Sequence, residues 1–145
     1  MLFVQTEDDR LIPRRANYND AGLDFYSNNE VFTLYPGDTA RIHTGVRMAI
    51  PDGFVGLIVP RSSFGVNYHC TLSNTVGVID SGYRDEILVY ITNRGENPLK
   101  MPKYTKFCQM VIVPVMLTTP FCVDKETLMS SGVNRNGGFG SSGNE

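Results

Sequence analysis

Short apolar segments, cut at close intervals by turn residues, leave this chain few ways to fold other than as packed β-sheets. Runs of four to nine residues rich in Val, Ile, Phe, Tyr and Thr recur along it, bounded by Pro-Gly at 36–37, Pro-Asp-Gly at 51–53, Asn-Arg-Gly at 93–95 and Asn-Pro at 97–98. Branched and aromatic side chains fill a pleated surface, while Gly, Pro and Asn supply the angles that reverse the backbone. The spacing predicts an all-β sandwich or barrel, with scaffold strands at 31–35, 39–42, 46–50 and 54–59. No window beyond about ten residues carries a helical period, and one short helical turn around 124–129 is the only helix expected.

The 145 residues suffice for one domain, which at this size buries roughly 68 % of its unfolded surface around a single core. Thirteen basic against 15 acidic side chains give a net charge of -2. That balance offers no footprint for nucleic acid or an anionic membrane, so a polyanionic ligand would need a few local arginines or a metal ion. Cys70, Cys108 and Cys122 are odd in number and far apart, and His43 and His69 have no partner at ligand spacing. Buried free thiols in a reducing compartment are therefore expected, not disulfides or a protein-held metal. The longest apolar run, 110–117, is interrupted by Pro114 and falls short of the ~20 residues of a membrane span. With no basic-then-apolar leader and no Asn-X-Ser/Thr acceptor, a cytoplasmic or otherwise intracellular protein is expected.

The stretch 75–92, TVGVIDSGYRDEILVYIT, carries the most chemistry. Two apolar, branched segments, 75–79 and 87–92, flank a polar tip, as in a β-hairpin or a tight strand connection. Asp80 stands where the first segment ends, Gly82 offers backbone angles that a Cβ resists, and Tyr83 sets an aromatic face beside the carboxylate. Such a tip can hold a flat ring against backbone amides with an acid next to it; a solvated turn explains the same residues. In 87–91 both strand faces are apolar, which predicts cover from a second sheet on one side and from another subunit on the other.

Other segments offer further candidates. Asp24 lies between Leu23 and Phe25, on the face opposite its apolar neighbours, where a solvated strand position is the simplest reading. Arg61, Ser62 and Ser63 follow a strand directly. Arginine binds phosphate through two parallel hydrogen bonds and hydroxyls add neutral donors, although a serine-rich helix cap has the same composition. No Walker-type phosphate loop occurs. Gln109 is the lone amide of the segment 106–116 and faces either solvent or a polar site. From Gly132 onward the tail holds five glycines and a single aromatic, Phe139; it reads as a flexible arm over 131–145 appended to a β domain over 1–130.

Taken in order, NDAGLDF at 19–25, PRSSFG at 60–65, NTVGVIDSGYRDEI at 74–87, KFCQM at 106–110 and NGGFGSSG at 136–143 resemble the five motifs of the trimeric deoxyuridine triphosphate nucleotidohydrolases (dUTPases). The resemblance spans nearly the whole chain. It implies a jelly-roll-like β-sandwich, a homotrimer whose sites are built from three chains, and a C-terminal arm that closes over a neighbour's site. It also implies Mg²⁺-assisted hydrolysis of dUTP to dUMP and pyrophosphate, which limits uracil incorporation into DNA and supplies dUMP for thymidylate synthesis.

Carried over residue by residue, Asp80 matches the acid that orients the attacking water and touches the sugar 3′-hydroxyl. Tyr83 matches the ring that packs on the deoxyribose and excludes a 2′-hydroxyl. The backbone of Gly77, Val78 and Ile79, with Asn74, would read the uracil edge. Arg61, Ser62, Ser63 and Gln109 would hold phosphates, Arg135 would reach the terminal one, and Phe139 would stack on the base. Asp24 matches an aspartate associated with the waters of the magnesium ion, which would touch substrate phosphates and no protein ligand. A carboxylate of ordinary acidity can take a proton from water in such a reaction.

Four positions depart from the family pattern. The arm arginine is displaced from 134 to Arg135, Asp85 replaces a usual glycine, and Tyr104 and Cys108 stand where Gly and Ala are commoner. Two alternatives remain. The same-fold deoxycytidine triphosphate deaminases share the Arg-Ser-Ser segment but need a glutamate where this chain has Tyr90. A nucleotide-gated module that binds a protein partner, as some viral relatives do, keeps the pocket without excluding catalysis.

Overall fold

Residues 1–133 are described by a computed structural model. Within them the chain runs β1 (Phe3–Gln5), a 3₁₀ turn (Asp9–Leu11), β2 (Leu23–Tyr26), β3 (Phe32–Leu34), β4 (Thr39–His43), β5 (Arg47–Ala49) and β6 (Phe54–Pro60). It continues through α1 (Ser62–Tyr68), β7 (Cys70–Leu72), β8 (Gly77–Ile79), β9 (Leu88–Asn93), β10 (Leu99–Met101), β11 (Lys106–Pro114) and α2 (Lys125–Ser130). All pairings are antiparallel. One sheet has the order β2-β11-β6-β8 and a second the order β4-β9-β7, with β1-β5 and β10-β3 as two-stranded ribbons.

Period-two alternation places the core between the sheets. Phe25, Ile58 and Met110 of the first sheet and Ile42, Leu72 and Ile91 of the second join one buried cluster, giving the β-sandwich that the turn spacing predicts. In β9, Val89 and Ile91 are buried while Leu88 and Tyr90 remain 39 % and 47 % exposed. The first sheet therefore covers one face of this doubly apolar strand, and the other face lies open in the single chain. After Pro114, every described residue is exposed, including Met116, Leu117 and Phe121. Among the described residues no helix is long and apolar enough to cross a membrane.

The helix α2 forms where the sequence predicts it, capped by the Asp124 carboxylate, which accepts from the Thr127 N–H at 2.7 Å. A second helix, α1, was not expected. Its seven residues bury only Phe64, too few for a helical period to register. Nor is it capped by serine: Arg61 occupies the N-cap and makes no side-chain cap bond. The connection 80–87 is not a hairpin, because β8 pairs with β6 while β9 pairs with β4 and β7. It crosses between the sheets, which is neither the hairpin nor the tight strand connection that the sequence suggested. Gly82 does not use the left-handed angles that motivated its reading; the non-glycine residues with positive φ are His69, Thr75 and Tyr104. Cys70 and Cys108 are buried free thiols as expected, but Cys122 is exposed, like every described residue after Pro114.

Tyr104 shows how the fold accommodates a departure from the family pattern. At φ +66° a side chain costs roughly 1–2 kcal/mol relative to ordinary backbone. Its hydroxyl donates to Asp8 Oδ2 at 2.8 Å, and the Arg10 guanidinium lies 4.4 Å from its ring centre, contacts a glycine could not make. Hydrogen bonds from Arg10, from its side chain above all, and from Tyr104 hold the Asp8 carboxyl well below the usual carboxylate range. A carboxyl made more acidic by folding stabilises above its unfolded pKa and loses that contribution as pH falls toward the folded value. Asp8→Asn should therefore lower the melting temperature at neutral pH, and the gap to the unaltered protein should narrow as pH falls below about 4; melting curves across that range check it.

Candidate functional site

One irregularity in β11 builds the anionic and cationic cluster at one end of the first sheet. The β2–β11 register runs Leu23↔Met110, Asp24↔Gln109 and Phe25↔Cys108, then shifts so that Tyr26 faces Lys106. Opposed residues share a sheet face, so Phe25, Cys108 and Met110 point into the core, each 0 % exposed, while Asp24 and Gln109 point the other way. In an unbroken strand Lys106 would fall in phase with Cys108 and enter the core. The extra residue, Phe107, is instead turned inward and fully buried, and the bulge returns Lys106 to the face of Asp24. Phe107 packs edge-on against Phe64 of α1 at 6.3 Å between ring centres, and its carbonyl accepts from the Arg61 N–H at 3.2 Å. One residue thus positions both cations.

The result is a carboxylate held between two of them. Arg61 Nε lies 2.9 Å from Asp24 Oδ1 and Lys106 Nζ lies 3.1 Å from Oδ2. Asp24 is only 6 % exposed, so the solvated reading of that strand position is overturned: the aspartate is buried because two cations compensate its charge. Both cations keep about a third of their side chains open to solvent. Gln109 points to this face, with its Nε2 donating to the Pro60 carbonyl at 3.4 Å. Gly22 is what makes room, since a Cβ there would collide with the Gln109 amide.

Beside the pair opens a recess of about 300 Å³ lined by Arg61, Ser63, Asn67, Lys100, Thr105 and Lys106, among others. Three cations around one hollow, with the hydroxyls of Ser63, Tyr68 and Thr105 among its lining, suit an anion. Cys108, directly behind the site, is chemically quiet: burial, reinforced by the Asp24 charge, pushes its thiol well above the usual range.

The remaining candidates lie elsewhere on the chain. Gly77, Val78 and Ile79 form β8, the edge strand of the first sheet. No described strand pairs with its outer side, which leaves backbone N–H and C=O groups free to read a flat ligand. Asn74 and Thr75 make the turn into β8, with Thr75 at φ +68°, an uncommon conformation for a branched residue. Asp80 is exposed just past the Ile79↔Gly56 pair. Arg61 lies beyond the other end of the same β6 strand, so at ~3.3 Å per residue the two stand roughly 20 Å apart along the sheet. Tyr83 is 37 % exposed, with its hydroxyl donating to the Glu86 carbonyl at 2.8 Å. The structure therefore gathers Asp24, Arg61, Ser62, Ser63 and Gln109 at one place and Asp80, Tyr83 and β8 at another. Arg135 and Phe139 lie outside the described residues. Lys106 was not singled out in the sequence, where nothing marks the bulge that brings it to the face of Asp24.

A family model for dUTPase matches residues 8–143. The chain belongs to the dUTPase family. It is 36 % identical over 136 residues to the deoxyuridine 5′-triphosphate nucleotidohydrolase of Clostridioides difficile, covering 94 % of this chain and 92 % of that one. It is 39 % identical over 147 residues to the enzyme of the same name from Alcanivorax borkumensis, covering 100 % and 96 %. Among solved dUTPases, a mutant from phage 80alpha superposes with a TM-score of 0.85 at 27 % identity, covering 97 % of this chain and 98 % of that one. A mutant dUTPase from phage phi11 of S. aureus, described as showing the coordination of a structural Mg(II) ion, gives 0.78 at 26 % identity, covering 86 % and 97 %.

Removing the shared carboxylate would leave Arg61 and Lys106 facing each other. Asp24→Ala should cost about 2–3 kcal/mol in urea unfolding, below the 3–5 kcal/mol typical of a fully buried pair because both cations reach solvent.

Proposed function

We propose that this dUTP diphosphatase works at a composite site, to which one copy of the chain contributes Asp24, Arg61, Ser62, Ser63, Lys106 and Gln109 and another contributes β8, Asn74, Asp80 and Tyr83. The observation that carries the reading is the separation of the two groups along a single sheet. Each is incomplete alone: one has the cations for a triphosphate, the other a free strand edge, an exposed acid and an aromatic face. The open Leu88 and Tyr90 face of β9 supports association into the homotrimer that the family resemblance implies.

In this reading uracil lies against the edge of β8, where backbone donors and acceptors match its own. Cytosine would leave them unpaired, and buried unpaired groups discriminate strongly. The Tyr83 ring packs on the deoxyribose and leaves no space for a 2′-hydroxyl. Arg61, Ser62, Ser63, Lys106 and Gln109 hold the phosphates in line, where positioning and charge neutralisation provide most of the rate. Asp24 acts as a positioning residue, fixing Arg61 and Lys106. Water attacks the α-phosphorus as the bond to the α,β-bridging oxygen breaks; Asp80 takes the water's proton and pyrophosphate leaves. Bound Mg²⁺ would supply further neutralisation of the triphosphate. Among the described residues no three His, Cys, Asp or Glu side chains gather as ligands, a donor set that fits an ion held through phosphates and waters. The arm 131–145, with Arg135 and Phe139, would close the site from a third copy. At the position where the same-fold deaminases need a glutamate, Tyr90 is a half-exposed phenol.

Asp80→Asn should reduce pyrophosphate release from dUTP by about 10²–10⁴-fold while a non-hydrolysable analogue still binds. Subunit mixing tests the composite site. Refolding Asp80→Asn chains together with Arg61→Ala chains, each nearly inactive alone, should restore a measurable fraction of turnover, because some sites then draw both intact groups. Mixtures no more active than their components would assign all the groups to one chain. Chelation of Mg²⁺ should lower turnover and weaken triphosphate affinity more than dUMP affinity.

A further inference from the structure

The turn that carries Asp80 and Tyr83 has no strand partner of its own, yet its far end is fastened at Glu86 and Ile87. Within the turn, the Tyr83 N–H donates to the Asp80 carbonyl at 3.1 Å, and Arg84 Nη1 donates to the carbonyls of Ser81 and Tyr83. The Tyr83 hydroxyl then rests on the Glu86 carbonyl. The orientation of the phenol is therefore referred to the backbone of Glu86.

Glu86 is itself clasped from the opposite side. Its Oε1 accepts from the Gly45 N–H at 2.8 Å and its Oε2 from His43 Nδ1 at 3.0 Å. A carboxylate only accepts, so the imidazole donates whether it is charged or carries its proton on Nδ1. The receiving segment is stiff. Gly45 sits at φ +67°, and a Cβ there would come within 2.7 Å of Leu11 and 2.9 Å of Asn28. Asn29 Oδ1 accepts from the His43 N–H, and the His43 carbonyl accepts from the Asn28 N–H, both at 2.8 Å. Just after the clasp, the Ile87 N–H donates to Val46 and its carbonyl accepts from Thr44 Oγ1.

We propose that Glu86 is a positioning residue for sugar discrimination: its side chain, clasped by Gly45 and His43, fixes the carbonyl on which the Tyr83 hydroxyl rests, and so fixes the ring that shuts out a 2′-hydroxyl. The inference rests on the reading of Tyr83 given above. His43, Gly45 and Glu86 line an open cleft of about 990 Å³, and the His43 and Glu86 side chains are part-exposed and lie outside the buried apolar cluster. His43→Gln and Glu86→Ala can therefore change specificity with little effect on folding.

The test compares kcat/KM for dUTP and UTP in the unaltered protein, Glu86→Ala, Glu86→Gln and His43→Gln, with melting temperatures measured alongside. Glu86→Ala should lower the dUTP-over-UTP ratio about 10-fold, mainly through a lower KM for UTP. Glu86→Gln keeps an oxygen for the Gly45 N–H and should recover part of the loss, while His43→Gln, which removes one of the two holds, should lower the ratio about 3-fold. A general loss of stability would reduce both rates and leave the ratio unchanged. A ratio unchanged in Glu86→Ala and in His43→Gln overturns the inference alone; if Glu86→Ala does not fold, the other two variants decide by the same ratio. An unaltered protein that releases no pyrophosphate from dUTP overturns the functional reading and this inference with it.

Discussion

A single buried carboxylate, Asp24, shared by Arg61 and Lys106, ties three elements of the chain into one functional surface. The aspartate comes from β2, the lysine from β11 and the arginine from the junction of β6 with α1. A lone carboxylate at this depth would be held in its charged form only at large cost, and two adjacent cations would repel each other. Together they are compatible. The cost of desolvating Asp24 is offset by geometry that fixes both cations at the mouth of a hollow, where a third, Lys100, also lies. Pre-placed charge of this kind needs no reorganisation to receive an anion, which is the condition under which electrostatic stabilisation is most effective.

The division of labour between the sheets follows from the crossing at 80–87. Because β8 ends the first sheet and β9 runs through the middle of the second, the acid-bearing turn projects at the seam of the sandwich, away from the cations of its own chain. A monomeric enzyme would have to bend the sheet to bring them together. In the composite site proposed above, association would solve the same problem without strain, and the uncovered apolar residues Leu88 and Tyr90 offer copies of the chain a face to meet on.

The strands and the core were legible in the sequence because alternation and turn chemistry both encode them locally. The segments 39–42 and 54–59 lie within strands of the structure, and 87–92 is offset by one residue from β9. Family motifs pointed to Asp24, Arg61, Gln109 and Asp80, but the local environment of Asp24 could not be inferred from its neighbours, since its partners are contributed by β11 and by the end of β6. Lys106 was missed for a related reason: a bulge inserts one residue into the count, and nothing in KFCQM announces it. The helix α1 was too short to show a period, and the apparent hairpin at 75–92 read as one because adjacency in sequence is the only proximity a sequence displays.

That extra residue also bears on how the gene can change. The segment between Tyr104 and Cys108 is a counter as much as a scaffold: losing one codon there would turn Lys106 toward Phe25 and Leu23 and strip Asp24 of a partner, although every remaining side chain would still suit a strand. Past Pro114, where the described chain touches little of the body, the same lesion would merely shorten a tether. Length, not residue type, is what the bulge makes indispensable.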